Sequence, residues 1–94
     1  MIIVRNVFTA KPGQASKLAA QMKAAAIAGG APNPRVMTDL TGEFNRVVLE
    51  FEVQDIAEWA AQMANYASNE KMRDAMKGYT ELFSTGHREL LQVV

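Results

Sequence analysis

A single histidine and a set of charged residues on one strand are the side chains best suited to proton chemistry. His87 is the only histidine, the residue type that most readily gains and loses a proton near neutral pH. Arg46, Glu50 and Glu52 alternate along one predicted strand and therefore share a face. A buried carboxylate there would have a shifted pKa, as many catalytic carboxylates do. The alternatives are an exposed rim position for His87 and a solvated or interfacial ion pair for the other three.

Amide, aromatic and thioether side chains could instead orient a small molecule. Tyr66 can donate a hydrogen bond to a substrate carbonyl. Asn6 lies in the middle of a predicted strand, and Trp59 lies one turn into a predicted helix. Met63, on the same helix, would give a pocket an adaptable wall. Each residue also suits an ordinary structural role: Asn6 as an inward polar group bonded to its neighbours, the others as core or interface residues.

Length, charge and composition limit the classes of protein to consider. The 94 residues suffice for one domain, 1–94. Ten Lys and Arg balance ten Asp and Glu without clustering, which argues against nucleic acid as a partner. The absence of cysteine excludes disulfides, thiolate metal sites and a cysteine nucleophile, and one histidine cannot form a multi-histidine site, so no metal or cofactor is predicted. No apolar run approaches ~18 residues and no export signal is recognised, so we expect no membrane span and a cytoplasmic location.

Hydrophobic periodicity defines the elements that must position these residues. Strands are predicted at 2–10, 35–40, 44–53 and 87–94. One helix is predicted at 13–28, ended by Gly29-Gly30. Another begins at Gln54-Asp55, where Glu58 has capping-box spacing, and restarts at Ser68-Asn69. This order predicts an α+β domain with one four-stranded sheet and two helices on one face.

The sheet face without helices is predicted to bind a second copy of the chain. A face in water should show regular polar alternation, but the first strand is apolar at both parities, and Val48, Leu90 and Leu91 interrupt the polar positions of two others. Burying ~500 Å² of apolar area per subunit at ~25 cal/mol per Å² gives ~12 kcal/mol before association costs. We therefore expect a homodimer through the sheet face. Which parity of the first strand faces the helices stays open.

Three segments resemble one superfamily. They are Thr9-Ala10-Lys11-Pro12-Gly13, the strand Val48-Leu49-Glu50-Phe51-Glu52-Val53 that runs directly into a helix, and the closing segment from Gly86 to Val94. The pattern is similar to the dimeric α+β barrel proteins, ferredoxin-like βαββαβ chains that include antibiotic-biosynthesis-type monooxygenases and NIPSNAP-like proteins. The resemblance implies an antiparallel sheet, a sheet-to-sheet dimer and a pocket between sheet and helices in each subunit.

The same resemblance suggests roles for individual residues. Asn6 and Trp59 resemble the asparagine on the first strand and the tryptophan on the second helix of heme-degrading members, and Glu50 matches an acidic position common on its strand. Those members ligate iron through a histidine further along the helix region. Residues 66–71 contain no histidine, so the resemblance does not extend to heme degradation.

Two functions are consistent with these residues. The first is a small-molecule-binding dimeric barrel, with a cofactor-independent monooxygenase-like enzyme acting on an aromatic or apolar compound as its catalytic form. Its expected catalytic residues are Asn6, Trp59, Tyr66 and His87, and its expected substrate-binding residues are Arg46, Glu50 and Met63. The second is a non-enzymatic structural or regulatory homodimer whose pocket is filled by its own side chains.

Overall fold

The computed structural model describes residues 1–94 and contains four strands and three α-helices. In chain order the elements are β1 (Ile2–Ala10), α1 (Ala15–Ala28), β2 (Arg35–Thr38), β3 (Arg46–Val53), α2 (Ile56–Ser68), α3 (Glu70–Ala75), a 3₁₀ turn (Tyr79–Glu81) and β4 (Phe83–Gln92). None of these helices combines the length and the hydrophobicity that a membrane crossing requires.

The strands form one antiparallel sheet in the order β2-β3-β1-β4, so β1 and β3 are central and β2 and β4 are edges. This is the predicted α+β, ferredoxin-like arrangement. On β1, Asn6 pairs with Leu49 of β3 on one side and with Arg88 of β4 on the other. The pairing brings the middle of β1 next to the middle of β4 although they are far apart in sequence.

Even-numbered residues of β1 face the helices, which settles the parity that the sequence left open. Val4 and Val47 are fully buried on this face, as is Leu18 of α1 above it. One core cluster is built around Leu18 and Val47, and a second comprises Ile2, Val4, Phe51 and Val53. The odd-numbered residues of β1, together with Val48 and Glu50 of β3, form the other side, called the open face below.

The ends of the helices follow the predicted capping pattern. Asp55 caps α2, since its Oδ1 accepts a hydrogen bond from the Glu58 backbone N–H at 2.9 Å, and the Glu58 side chain accepts one from the Gln54 backbone at 2.6 Å. Asn69 restarts the chain as α3 by accepting from the Met72 backbone at 3.1 Å. α1 begins at Ala15, two residues later than predicted, because Gly13 has a left-handed φ of 81°.

Three predicted strands have different bounds in the structure: β2 ends at Thr38 and not at 40, β3 begins at Arg46 and not at 44, and β4 ends at Gln92 and not at 94. β4 begins at Phe83, four residues before the predicted start at His87, and Ser84-Thr85-Gly86 are part of the strand and not a loop. The reason is contact with β1: a Cβ on Gly86 would lie 2.7 Å from the Phe8 ring, so glycine makes room for that ring. Residues 39–45 form a loop between β2 and β3, closed by the Arg46 backbone N–H donating to Asp39 Oδ1 at 2.7 Å.

Candidate functional site

An apolar cavity of about 170 Å³ lies between the sheet and the helices. Its floor comes from β1, β3 and β4, and its walls come from all three helices and the 3₁₀ turn. All but three of its lining residues are hydrophobic; the exceptions are Asn6, Gln62 and Arg88. The cavity therefore offers a mostly apolar interior with a few polar groups, the usual composition of a small-molecule pocket.

Asn6 reaches the cavity because its even position on β1 turns it towards the helices. An amide in an otherwise apolar row needs a hydrogen-bond partner. Arg88, its cross-strand neighbour on β4, supplies one, since Arg88 Nε donates to Asn6 Oδ1 at 2.7 Å. The two side chains thus hold each other in a defined orientation at the cavity wall.

Trp59 lies beside this pair and outside the cavity lining. Its ring packs against the core cluster of Ile2, Val4, Phe51 and Val53, and the Arg88 guanidinium carbon lies 5.9 Å from its ring centroid. This distance is within the range of a cation–π contact. The indole Nε1 is buried without a hydrogen-bond acceptor, so packing and Arg88 hold the ring. Trp59 can therefore affect a ligand in the cavity only indirectly, through its contact with Arg88.

Met63 and Tyr66 follow Trp59 at intervals of four and three residues on α2, so all three point towards the sheet. Met63 and Tyr66 both line the cavity. Burial raises the pKa of the Tyr66 phenol, and the neighbouring Tyr79 raises it further. The Tyr66 hydroxyl is therefore neutral at physiological pH and can donate a hydrogen bond to a ligand.

Glu50 lies on the open face, held between two arginines. Its carboxylate accepts a hydrogen bond from Arg35 Nη2 at 2.6 Å and lies 3.2 Å from Arg5 Nη2. Burial by itself would raise the Glu50 pKa, but the hydrogen bond from Arg35 and the charge of Arg5 outweigh it, so the net pKa is lowered. Glu50 is thus a fixed anion with both oxygens engaged, which matches the ion-pair alternative for this strand.

The other two residues expected to handle protons are also on the open face. His87 has a side chain 63% exposed to solvent, and its Nε2 lies 3.8 Å from Glu89 Oε1. Arg46 begins β3 on the same side as Glu50. The sheet separates Arg46, Glu50 and His87 from the cavity of the same subunit. Of the predicted site residues, Asn6, Met63 and Tyr66 therefore line the cavity, and the open-face residues do not.

Arg88 is a charged cavity residue that the sequence did not assign to the candidate site. Consecutive charged or ionisable residues, His87-Arg88-Glu89, look like a solvated edge. Arg88 is assigned to the cavity only once the pairing of β4 with β1 is known, because that register puts it opposite Asn6. The hydrophobic periodicity of each strand does not reveal how two distant strands pair, so the position of Arg88 opposite Asn6 could not be predicted.

Comparisons with known proteins bear on the fold. The sequence matches no family model and no curated protein. A NIPSNAP domain protein from Burkholderia xenovorans has a TM-score of 0.83 and 16% identity, with 100% of this chain and 95% of that chain covered. A NIPSNAP family protein from Agrobacterium tumefaciens has a TM-score of 0.82 and 11% identity, with 99% and 92% covered. An antibiotic biosynthesis monooxygenase has a TM-score of 0.74 and 13% identity, with 100% and 99% covered. The chain shares the fold of these proteins, which confirms the predicted resemblance.

Proposed function

We propose that this protein binds a small aromatic or apolar molecule in the cavity between sheet and helices. The observation that carries the proposal is the cavity of about 170 Å³ with three polar side chains in an apolar lining. A cavity of about 150 Å³ is large enough for benzene in another protein. The ligand is accordingly a single ring with small substituents.

Three side chains would contribute to binding in different ways. Phe8 and Met63 supply apolar and polarisable surface to a ring. The neutral Tyr66 hydroxyl donates a hydrogen bond to a carbonyl or hydroxyl oxygen of the ligand. In the catalytic form of this proposal, a monooxygenase-like reaction without a cofactor, these groups orient the substrate. The support for that form is the name of two proteins with the same fold, an antibiotic biosynthesis monooxygenase and a putative one from Chloroflexus aurantiacus.

Filling the cavity tests this proposal directly. Ala26 is buried and lines the cavity, whereas Ala20 on the same helix is exposed. We expect Ala26→Leu to abolish the thermal stabilisation that a panel of monocyclic aromatics gives to the wild type, and Ala20→Leu to leave it unchanged. Oxygen uptake with each stabilising compound tests the catalytic form. If no aromatic compound stabilises the wild type, the cavity is not a binding site and the proposal is wrong.

We also propose that the open face binds a second copy of the chain. Met37 and Leu91 on this face are 38% and 40% exposed, and Leu40, which borders it from the loop 39–45, is 98% exposed. Glu50 in the middle of the face is already neutralised by its arginines, so covering it with protein costs little further desolvation. The formal net charge of zero adds no repulsion between copies. This surface also supports the non-enzymatic alternative, a structural dimer.

Light scattering tests the dimer proposal. The wild type should have twice the 10.3 kDa mass of one chain. Val48→Lys, which puts a charge at a half-buried position of the open face, should return the mass to that of one chain while the circular dichroism spectrum is unchanged. The matched control is Ala20→Lys on the outer side of α1. A wild-type mass of one chain at micromolar concentration would contradict the proposal.

A further inference from the structure

We infer that the cavity ligand is an acid: a small aromatic carboxylate whose ring enters the cavity and whose carboxylate binds Arg88. The inference rests on the proposed function and narrows its class of ligand. It starts from the charge of the lining, since Arg88 is the only ionised side chain among the residues around the cavity, and none of them is Asp or Glu.

Arg88 has no acidic partner anywhere in the chain. The ion pairs of the structure join Arg5 and Arg35 to Glu50, and the one other close contact with a carboxylate, that of His87 with Glu89 at 3.8 Å, does not involve Arg88 either. The neighbours of Arg88 on β4, His87 and Glu89, point to the open face by strand alternation, so Glu89 does not compete for it. The cavity therefore has a cationic group that the protein itself leaves uncompensated.

Two contacts fix the guanidinium of Arg88 and leave its outer edge available. Nε is used by Asn6 Oδ1 at 2.7 Å, and one face of the guanidinium lies near the Trp59 ring at 5.9 Å. The two terminal Nη groups make no hydrogen bond within the protein. Paired N–H groups in a plane match the two oxygens of a carboxylate. Asn6 and Trp59 thus act as positioning residues for an anion site.

The position of Arg88 also sets how an acid would lie. Arg88 is exposed to solvent on one side and lines the cavity on the other. A carboxylate bound to it keeps part of its hydration, which avoids the large penalty of burying a charge. The ring then extends towards the apolar residues of the floor, such as Phe8 and Leu49. With about 170 Å³ available, one ring and a short linker fit this arrangement.

The experiment compares benzoate with benzamide, which have nearly the same shape and differ in charge. By titration calorimetry in low salt, the wild type should bind benzoate about tenfold more tightly than benzamide. Arg88→Gln should remove this preference and leave the benzamide affinity within about twofold. Lys17→Gln, which removes one positive charge from an exposed position of α1, should keep the full preference. Raising the salt concentration should weaken benzoate binding and not benzamide binding.

Each result of these titrations tests a different part of the inference. Equal affinity of the wild type for benzoate and benzamide overturns the acid inference and leaves the proposed function standing. If Lys17→Gln loses the preference for benzoate over benzamide to the same extent as Arg88→Gln, the assigned role of Arg88 is wrong. If benzoate, benzamide and toluene all fail to bind the wild type, the proposed function fails and the inference fails with it. The wild-type comparison and its salt dependence need no variant, so a misfolded Arg88→Gln protein cannot obscure the result.

Discussion

The two faces of the sheet use the same four strands but satisfy their polar groups in different ways. On the helix-covered face, Asn6 is the polar residue in an apolar row, and it is bonded to a cation that has no acid of its own. On the open face, Glu50 is 8% exposed and is bonded to two cations. The covered face has an unpaired arginine beside a cavity, and the open face holds its buried carboxylate between two arginines.

Because their charged groups differ in this way, the two faces are suited to different kinds of binding. The open face has half-exposed apolar residues, and protein can cover it without leaving the Glu50 carboxylate unpaired. A cavity with one uncompensated cation attracts a small anion instead. The predicted residues that the sequence combined into one site therefore belong to two surfaces, for which we propose different partners.

The largest expected difference between the faces is in stability. Leu18 is fully buried above the covered face, and Leu91 is 40% exposed on the open face. In the single chain, Leu18→Ala should lower the free energy of unfolding by about 3 to 4 kcal/mol, because it leaves a cavity in the core, whereas Leu91→Ala should cost less than about 1 kcal/mol. Urea unfolding of both variants in the Val48→Lys background, in which we expect a single chain, measures both. Equal costs would mean that the open face is as tightly packed as the core.

The Glu50 ion cluster should give the open face a dependence on pH. Glu50→Gln should lower stability by about 1 to 2 kcal/mol at pH 7, at the low end for a charged pair because Arg35 is 65% exposed. Since folding lowers the Glu50 pKa from its ordinary value of 4.5, the folded chain binds that proton less readily than the unfolded chain. The stabilisation is therefore complete above about pH 4.5 and is lost as the pH falls through the folded pKa.

Glu52→Gln is the matched control for that cluster. Glu52 lies two residues further along the same face and receives one hydrogen bond, from Asn33 at 3.3 Å. Thermal unfolding followed between pH 3 and 7 should show a smaller loss on acidification for Glu50→Gln than for Glu52→Gln or the wild type. If all three proteins lose the same stability between pH 7 and pH 3, the Glu50 ion cluster does not account for the pH dependence of the open face.

The smallest expected effect concerns the close contact between Gly86 and the Phe8 ring on the covered face. Gly86→Ala should cost about 1 kcal/mol, because the new Cβ forces the Phe8 ring away from β4 while alanine reduces the entropy of the unfolded chain. In a Phe8→Leu background the same change should cost less, since the ring atoms 2.7 and 2.9 Å from the new Cβ are gone. A double-mutant cycle by urea unfolding measures the coupling. Additive costs would show that Phe8 does not require glycine at position 86.

Most of the fold could be predicted because its signals are local. Asp55 with Glu58, and the restart at Asn69, are capping patterns within one turn of chain, and both are confirmed. The start of β4 was predicted too late because Gly86 has the composition of a turn, while its reason for being glycine is the Phe8 ring on another strand. Local signals report on turns and caps, whereas a contact between strands depends on the register of the whole sheet.

The candidate site was harder to predict for the same reason. Asn6, Met63 and Tyr66 were found because residue type alone suggested them, and they do line the cavity. Arg46, Glu50 and His87 could not be separated from them, since the first strand is apolar at both parities and does not reveal which face is covered. Arg88 was missed because its partner is 82 residues away in sequence. The cytoplasmic location stays a prediction.

The central place of β1 in the sheet has a consequence for how the chain folds. β1 completes its hydrogen bonds only when distant segments of the chain meet, as in the pairing of Ile2 with Gln92 of β4. Closing so long a loop costs chain entropy before any contact is made. α1 and α2 need only local contacts and can form and dissolve many times in that interval. We therefore expect the joining of β4 to β1 to slow the folding of this chain, since domains rich in distant strand pairs fold slowly.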